Sequence, residues 1–419
     1  MPGRGLPVCW RAMTTDPIPA ATDPVATRPA RSPSLALPVA ALAGVQALVS
    51  CSLFAVPTMA PVVALDVGVD PATLVGVYMA VIFGLGIVSS PVGGDLVLRL
   101  GALRVAQICL LGCGVGLGLA ATGIWWMFIP AALAIGCAFA PETPASSHLL
   151  MRISPPHRRG LVFSLKQTGN QIGGVAGALA LPALIPLIGW RGGLLVVGCL
   201  CVVAAILLGS LRAVWETPVE RQTGTILVRY RRSMALVRAD ARLRALALAS
   251  GGYTVMQISL NAFLVSYCVV ELGMGLAMAG ATLAVAQIGG LIGRVFWGAV
   301  GDRITHKRRV LGLLGFAMAV AAVLTVGVTW TFWPLTVLSF LFGLTASGWN
   351  GLFLAEVARL APEGRVGEAT GGVLIATFVG LVAGPPVFGL LVQLSGSYAP
   401  GFMVAAAFCV AGGVLLMRR

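Results

Sequence analysis

The sequence is short of charge. Only 10% of its 419 residues are Asp, Glu, Lys or Arg, against about 25% in a soluble globular chain. So few charges cannot cover a water-facing surface, which excludes a soluble enzyme, a nucleic-acid-binding module and a disordered scaffold. Lysine is nearly absent: Lys166 and Lys307 follow Leu165 and His306. With no Gly-Lys step anywhere, a G-x-x-x-x-G-K-[ST] phosphate loop is missing, and nucleotide hydrolysis by that route is excluded. His148, His157 and His306 lack metal-site spacing. The nine cysteines form no C-x-x-C pair, and all but Cys9 sit in apolar segments. They read as small buried residues, not as a disulfide or metal framework. No metal and no cofactor is expected.

What is present is apolar sequence. The chain is 58% hydrophobic, with a mean hydropathy of +0.95. The apolar stretches are continuous, which excludes a membrane β-barrel of alternating strands. Spans are expected at 36–63, 73–96, 104–122, 125–149, 161–186 and 191–212, then at 243–270, 276–299, 310–329, 333–355, 368–392 and 399–417. Each is long enough for a bilayer, which takes roughly 20 residues per helix. The expected fold is an all-α membrane protein, twelve transmembrane helices in two pseudo-symmetric six-helix bundles. Residues 1–34, with Arg4, Arg11, Arg28 and Arg31, read as a disordered cytoplasmic tail whose start is Met1 or Met13. No apolar run of about 7–15 residues precedes Leu35, so no secretory signal is expected. Residues 35–212 form the first bundle, 213–242 a basic cytoplasmic linker, and 243–419 the second bundle.

Charge placement supports the map. With both termini cytoplasmic, 25 of the 28 basic residues fall on the cytoplasmic side, and the outer loops hold Asp66, Asp70 and Glu271. Trp125 and Trp126, then Trp330 and Trp333, open spans at the outer interface, where aromatic rings are favoured. The halves also repeat. Arg152-Ile-Ser-Pro-Pro-His-Arg-Arg-Gly160 overlays Arg359-Leu-Ala-Pro-Glu-Gly-Arg-Val-Gly367 with four identities at an offset of 207. Gly94, Arg99 and Gly101 similarly follow the second span as Gly298, Asp302 and Arg303 follow the eighth.

These motifs carry a resemblance. Gly298-Ala-Val-Gly-Asp302-Arg303, followed by Lys307-Arg308, resembles the G-x-x-x-D-R-x-G-R-R loop of major facilitator superfamily permeases, without the glycine before the basic pair. Lys166-Gln-Thr-Gly-Asn-Gln-Ile-Gly-Gly resembles a stretch in bacterial permeases near the cyanate-permease branch. The resemblance covers about residues 35–417. It implies alternating-access transport of a small organic solute by two rocking halves in a bacterial cytoplasmic membrane, by a monomer. Proton-coupled uptake of an anion is the leading expectation. Proton-driven efflux of amphipathic compounds is the alternative, weakened because the fifth span lacks the G-x-x-x-G-P proline of drug antiporters. A non-transporting receptor or scaffold is the third reading. The family's fourth-span arginine has no counterpart near Leu133–Gly136.

Ionisable groups inside a membrane are costly and therefore candidates. Glu142 and Lys166 fall at similar depths on adjacent spans, as a coupling pair or a static ion pair. Asn170 lies one turn beyond Lys166, with Gln171 beside it. Gly169, Gly173 and Gly177 mark a close packing seam on that helix. Tyr253, Gln257 and Asn261 form a polar stripe at i, i+4, i+8, matched by Gln46 and Ser50 in the first span. The stripe contacts solute or bonds helices together. Trp349 and Asn350 occupy the repeat positions of Glu142 and Thr143. A cytoplasmic gate is expected from Gly94, Arg99, Arg294, Gly298, Asp302 and Arg303. In it Gly298 permits close helix approach, and Asp302 is latched by basic neighbours and a helix start.

Overall fold

The computed structural model describes residues 35–155, 159–215, 226–304, 306–363 and 365–418; some side chains, those of 87–95 and 302 among them, are outside that description. The tail 1–34 and residues 216–225 of the linker lie outside it too. Among the described residues there are thirteen α-helices and no strand. A backbone inside hydrocarbon has no water to bond, so each apolar stretch satisfies its own N–H and C=O groups as helix.

The helices are α1 (Ala36–Val67), α2 (Pro71–Leu100), α3 (Ala102–Ala121), α4 (Phe128–Ile153), α5 (Arg159–Trp215), α6 (Ile226–Ala239), α7 (Ala241–Val270), α8 (Leu276–Arg303), α9 (Lys307–Gly327), α10 (Phe332–Ala346), α11 (Trp349–Leu360), α12 (Val366–Ser395) and α13 (Ala399–Met417). They lie in one compact unit, Ala36–Arg419. Ten helical stretches among the described residues are long and apolar enough to cross a membrane. One of them, Leu165–Arg212, is 48 residues long, about 70 Å at helical rise against a hydrocarbon core of about 30 Å. It breaks at Gly189, whose φ of 69° and ψ of 170° suit glycine alone. In α2, the described apolar stretch Pro71–Gly86 is shorter than the other spans.

Three features depart from the sequence reading. The linker holds a helix, α6, seated against α12: Gly372 lacks the Cβ that would stand 2.5 Å from the Ser233 carbonyl oxygen. The tenth span is broken between α10 and α11 at Ser347–Gly348. The Trp297 indole N–H of α8 donates to the Leu344 carbonyl beside that break, at 3.1 Å. Asp70 is an N-cap rather than a free loop charge, and Asp240 caps α7 in the same way. Asp70 accepts from the Thr73 N–H at 2.8 Å, and Asp240 from the Arg242 N–H at 2.7 Å.

The packing pattern recurs. α1 lies along α5 and α7 along α12; α2 lies on α4 and α8 on α10; α3 lies on α5 and α9 on α13. Two crossed contacts then tie the sets together, α2 to α12 and α5 to α8, with α1 against α7 between them. The α1–α5 seam forms because Gly169 and Gly173 present no Cβ to the Ala43 and Ala47 carbonyls. The crossed contacts sit at the end away from the arginine-rich loops. There a Cβ on Gly76 would stand 3.1 Å from the Pro385 carbonyl oxygen, and one on Gly389 2.7 Å from that of Ala72. Gly280 likewise abuts Ala178 and Pro182. At the same end Asp66 holds the segment after the Gly189 break, accepting from the Trp190 indole at 3.1 Å and pairing with Arg191 at 2.9 Å. Glu271 at the end of α7 does the same for α13, accepting from the Tyr398 backbone N–H.

Candidate functional site

The α1–α5 seam brings three polar side chains together. α4 supplies Glu142, α5 supplies Lys166 and α1 supplies Gln46. The Lys166 Nζ lies 3.1 Å from Glu142 Oε2, both side chains being 1% exposed. It also donates to Gln46 Oε1. The Thr143 hydroxyl, exposed, donates to the same Glu142 Oε2 at 3.3 Å. The second carboxylate oxygen, Glu142 Oε1, is buried without a partner among the described residues. One ion pair in apolar surroundings therefore has an amide against its ammonium, a hydroxyl reaching outward, and one open acceptor.

A shell of amides extends this cluster. Ser50 Oγ donates to Asn170 Oδ1 and to the Asn170 carbonyl, both at 2.9 Å. Gln171 is buried and its Oε1 has no partner among the described residues. From α8, buried Gln287 fills the space over Gly174, where a Cβ would come 2.5 Å from its Nε2. Gln287 thus meets α5 where the two sets of helices touch.

The α7 stripe divides. The Tyr253 hydroxyl donates to the Leu311 carbonyl of α9 at 2.8 Å and is buried, so it bonds helices together. Gln257 accepts from Asn350 Nδ2 at 3.3 Å, and both side chains are half-buried. Asn261 is buried further along α7. Trp349 is buried edge-on to Tyr253, with ring centroids 5.7 Å apart, and beside Phe353 at 5.2 Å. Its indole N–H bonds the Ala346 carbonyl at 3.1 Å. What Trp349 offers in this conformation is packing.

The expected gate is placed less tightly. Arg99 and Arg303 are exposed at the ends of α2 and α8. Arg294 is half-buried, its Nε without a partner among the described residues. The side chain of Asp302 and the surroundings of Gly94 fall outside the description. At Gly298, where close helix approach is expected, a Cβ would meet nothing within 4 Å in this conformation. The close contacts of α8 are made by other glycines: Gly301 of the same loop motif abuts the Leu352 side chain of α11, and Gly289 and Gly293, deeper in the helix, abut Phe340 and Leu344 of α10.

Gln46 and Thr143 belong to the cluster too, although sequence alone placed them only in a stripe and at a repeat position. The offset of 207 carries the signal, since Gln46 maps to Tyr253, Glu142 to Trp349, Thr143 to Asn350 and Lys166 to Val373. Tyr253 and Trp349 touch as Gln46, Glu142 and Lys166 do. One copy of the repeat is polar at this place and the other aromatic.

Two sets of apolar helices joined by crossed contacts, with ionisable groups paired inside, have the build of a membrane transporter. The chain belongs to the Major Facilitator Superfamily, whose model matches residues 42–371 and again 246–419. The family is one of transporters, not enzymes. The chain is similar to rat monocarboxylate transporter 13, 29% identical over 337 residues that cover 78% of this chain and 76% of that one. It is also similar to an uncharacterized MFS-type transporter of Mycobacterium tuberculosis, 26% identical with 80% and 73% covered, and to the Escherichia coli membrane sensor protein UhpC, 25% identical with 72% and 75% covered. Among solved structures, a mutant of the nucleoside transporter NupG shares the fold at a TM-score of 0.75 and 15% identity, covering 92% of this chain and 99% of that one.

Proposed function

We propose that the protein is a secondary active transporter that takes up a small organic anion together with a proton, by rocking of two six-span halves, residues 35–212 and 243–419. The Glu142–Lys166 pair carries this reading. A proton on Glu142 would release Lys166, which would then face the solute's negative charge. The empty site holds one minus and one plus; the loaded site holds neutral Glu142, Lys166⁺ and the anion. Both states are neutral in the protein interior, where an unpaired charge is costly. Thr143, exposed and bonded to Glu142, gives the proton a way in. The names of the monocarboxylate-transporting relatives support a carboxylate as the solute. The crossed contacts close the end bearing Asp66, Asp70 and Glu271, as expected of a carrier open toward the basic, cytoplasmic side.

The test is uptake of radiolabelled small monocarboxylates into proteoliposomes under an imposed pH gradient. Uptake should follow the gradient and acidify the lumen, and Lys166→Ala should abolish it with protein still in the membrane. Unchanged uptake by Lys166→Ala would end the anion reading and favour export of amphipathic compounds. The sensor relative UhpC supports a second reading, a receptor that binds solute without moving it. Saturable binding with no transmembrane flux of any bound solute would select it.

A further inference from the structure

A groove of about 640 Å³ runs along the outside of the bundle between α7, α12 and α13. Its lining comes from α6, α7, α12 and α13, none of which supplies Glu142 or Lys166. Its lining is wholly Gly, Ala, Val, Leu, Ile, Met and Phe. On α12 it extends from Gly372 to Leu391, about 28 Å at helical rise, close to the hydrocarbon thickness of a bilayer. Its floor is made by glycines such as Gly251, Gly380 and Gly412, where the helices press together. No side chain in it could hold a polar solute or balance a charge. Its occupant must be a long apolar chain.

The basic end of the groove says which chain. There α6 lies across the mouth, with Met234 and Val237 in the lining. Arg238 is one turn from Met234, Arg244 one turn from the lining residue Leu248, and Arg418 one turn from the lining residue Leu415. Residues so spaced share a helix face. All three arginines are exposed. Arg244 also donates to the Arg238 carbonyl, which ties α7 to α6 at this end. Three helices thus bring three exposed arginines to the basic end of an apolar slot, a match for one molecule with a long tail and an anionic head.

We propose that the α7/α12/α13 groove binds an anionic phospholipid, one acyl chain along the glycine floor and its phosphate held by Arg238, Arg244 and Arg418. The linker helix α6 then sits between a headgroup and α12, and the site reports the charge of the cytoplasmic leaflet to a helix that makes a crossed contact. Three arginines near the surface give on the order of a 100-fold preference for an anionic over a zwitterionic head.

The test uses the full-length protein reconstituted with phosphatidylcholine alone or with added phosphatidylglycerol. Retained lipid is counted by native mass spectrometry after detergent extraction, and thermal unfolding is followed in parallel. Phosphatidylglycerol should be retained in preference to phosphatidylcholine and raise the unfolding midpoint. Arg238→Gln/Arg244→Gln/Arg418→Gln should lose the preference, and Ala383→Phe, at an exposed groove position, should lose the retained lipid. Each variant's midpoint in phosphatidylcholine alone should equal that of the wild type, which shows that it is folded. Equal retention of both lipids by the wild type would overturn the proposal. So would full preference in both variants, stabilisation by inorganic phosphate alone, or a dimer covering the groove.

Discussion

The Glu142–Lys166 pair makes a thermodynamic statement as well as a functional one. Breaking a buried ion pair by deleting one partner costs about 3–5 kcal/mol, while replacing both with groups of similar volume is often near neutral. Both side chains here are 1% exposed and 3.1 Å apart, so these figures for a buried pair apply without the discount owed to a surface one. Lys166→Met strands a carboxylate whose Oε1 already lacks a partner; Glu142→Gln strands an ammonium that keeps only Gln46. Each single variant should lose roughly 3–5 kcal/mol, and the double variant about 1 kcal/mol, so the two changes should couple by at least about 5 kcal/mol. For a chain of this size each kcal/mol moves the unfolding midpoint by about 1–2 °C. The expected pattern in detergent is a drop of several degrees for each single variant and near recovery in the double. All three variants should fail to couple uptake to a pH gradient. Additive losses in the double variant would refute the energetic argument. Coupled uptake by the double variant would refute the functional one.

Other substitutions separate packing from motion. Gly173→Ala drives a methyl into the Ala47 carbonyl and should cost about 1–3 kcal/mol, read as a lower melting midpoint. Gly298→Ala meets open space, so its midpoint should match the wild type to within about 1 °C. If α8 closes on a neighbour during the cycle, the same variant should slow transport, and full transport would remove Gly298 from the gate. Partial burial alone would raise the Asp240 carboxyl, but the Arg242 and Leu243 N–H groups and the Arg242 guanidinium outweigh it and hold it below the ordinary carboxylate value. A depressed carboxylate stabilises the fold above its unfolded value, near pH 4, and loses that contribution as pH falls through the folded value. Asp240→Ala should therefore cost about 1 kcal/mol at pH 6–8, with the difference shrinking below about pH 4; a pH-independent gap would point to packing instead. Asp302→Asn should shift the carrier toward one accessible state, and cysteine-labelling patterns identical to wild type would argue against a latch.

Helix type and membrane placement were legible because hydrocarbon leaves the backbone no alternative, so runs such as 399–417 announce themselves by composition. Glu142 and Lys166 were legible for the complementary reason, since each is conspicuous where charge is scarce. The breaks were harder. Ser347–Gly348 ends α10 with no proline to mark it, while Pro141 and Pro144 sit inside a continuous α4, because neighbouring helices decide which irregularity becomes a bend. Helix α6 was hidden by its arginines, which gave 213–242 the composition of a solvated linker, although Ser233 and Val237 are buried against α12. The role of Tyr253 was equally unreadable, since a stripe on one helix does not say which neighbour each hydroxyl finds.

The offset of 207 sets Lys166 against Val373 and Glu142 against Trp349. At these matched positions only the first copy of the repeat carries titratable side chains. If Glu142 carries the proton as proposed above, one titratable copy should move one proton with each anion, and a measured flux ratio other than one would count against that role.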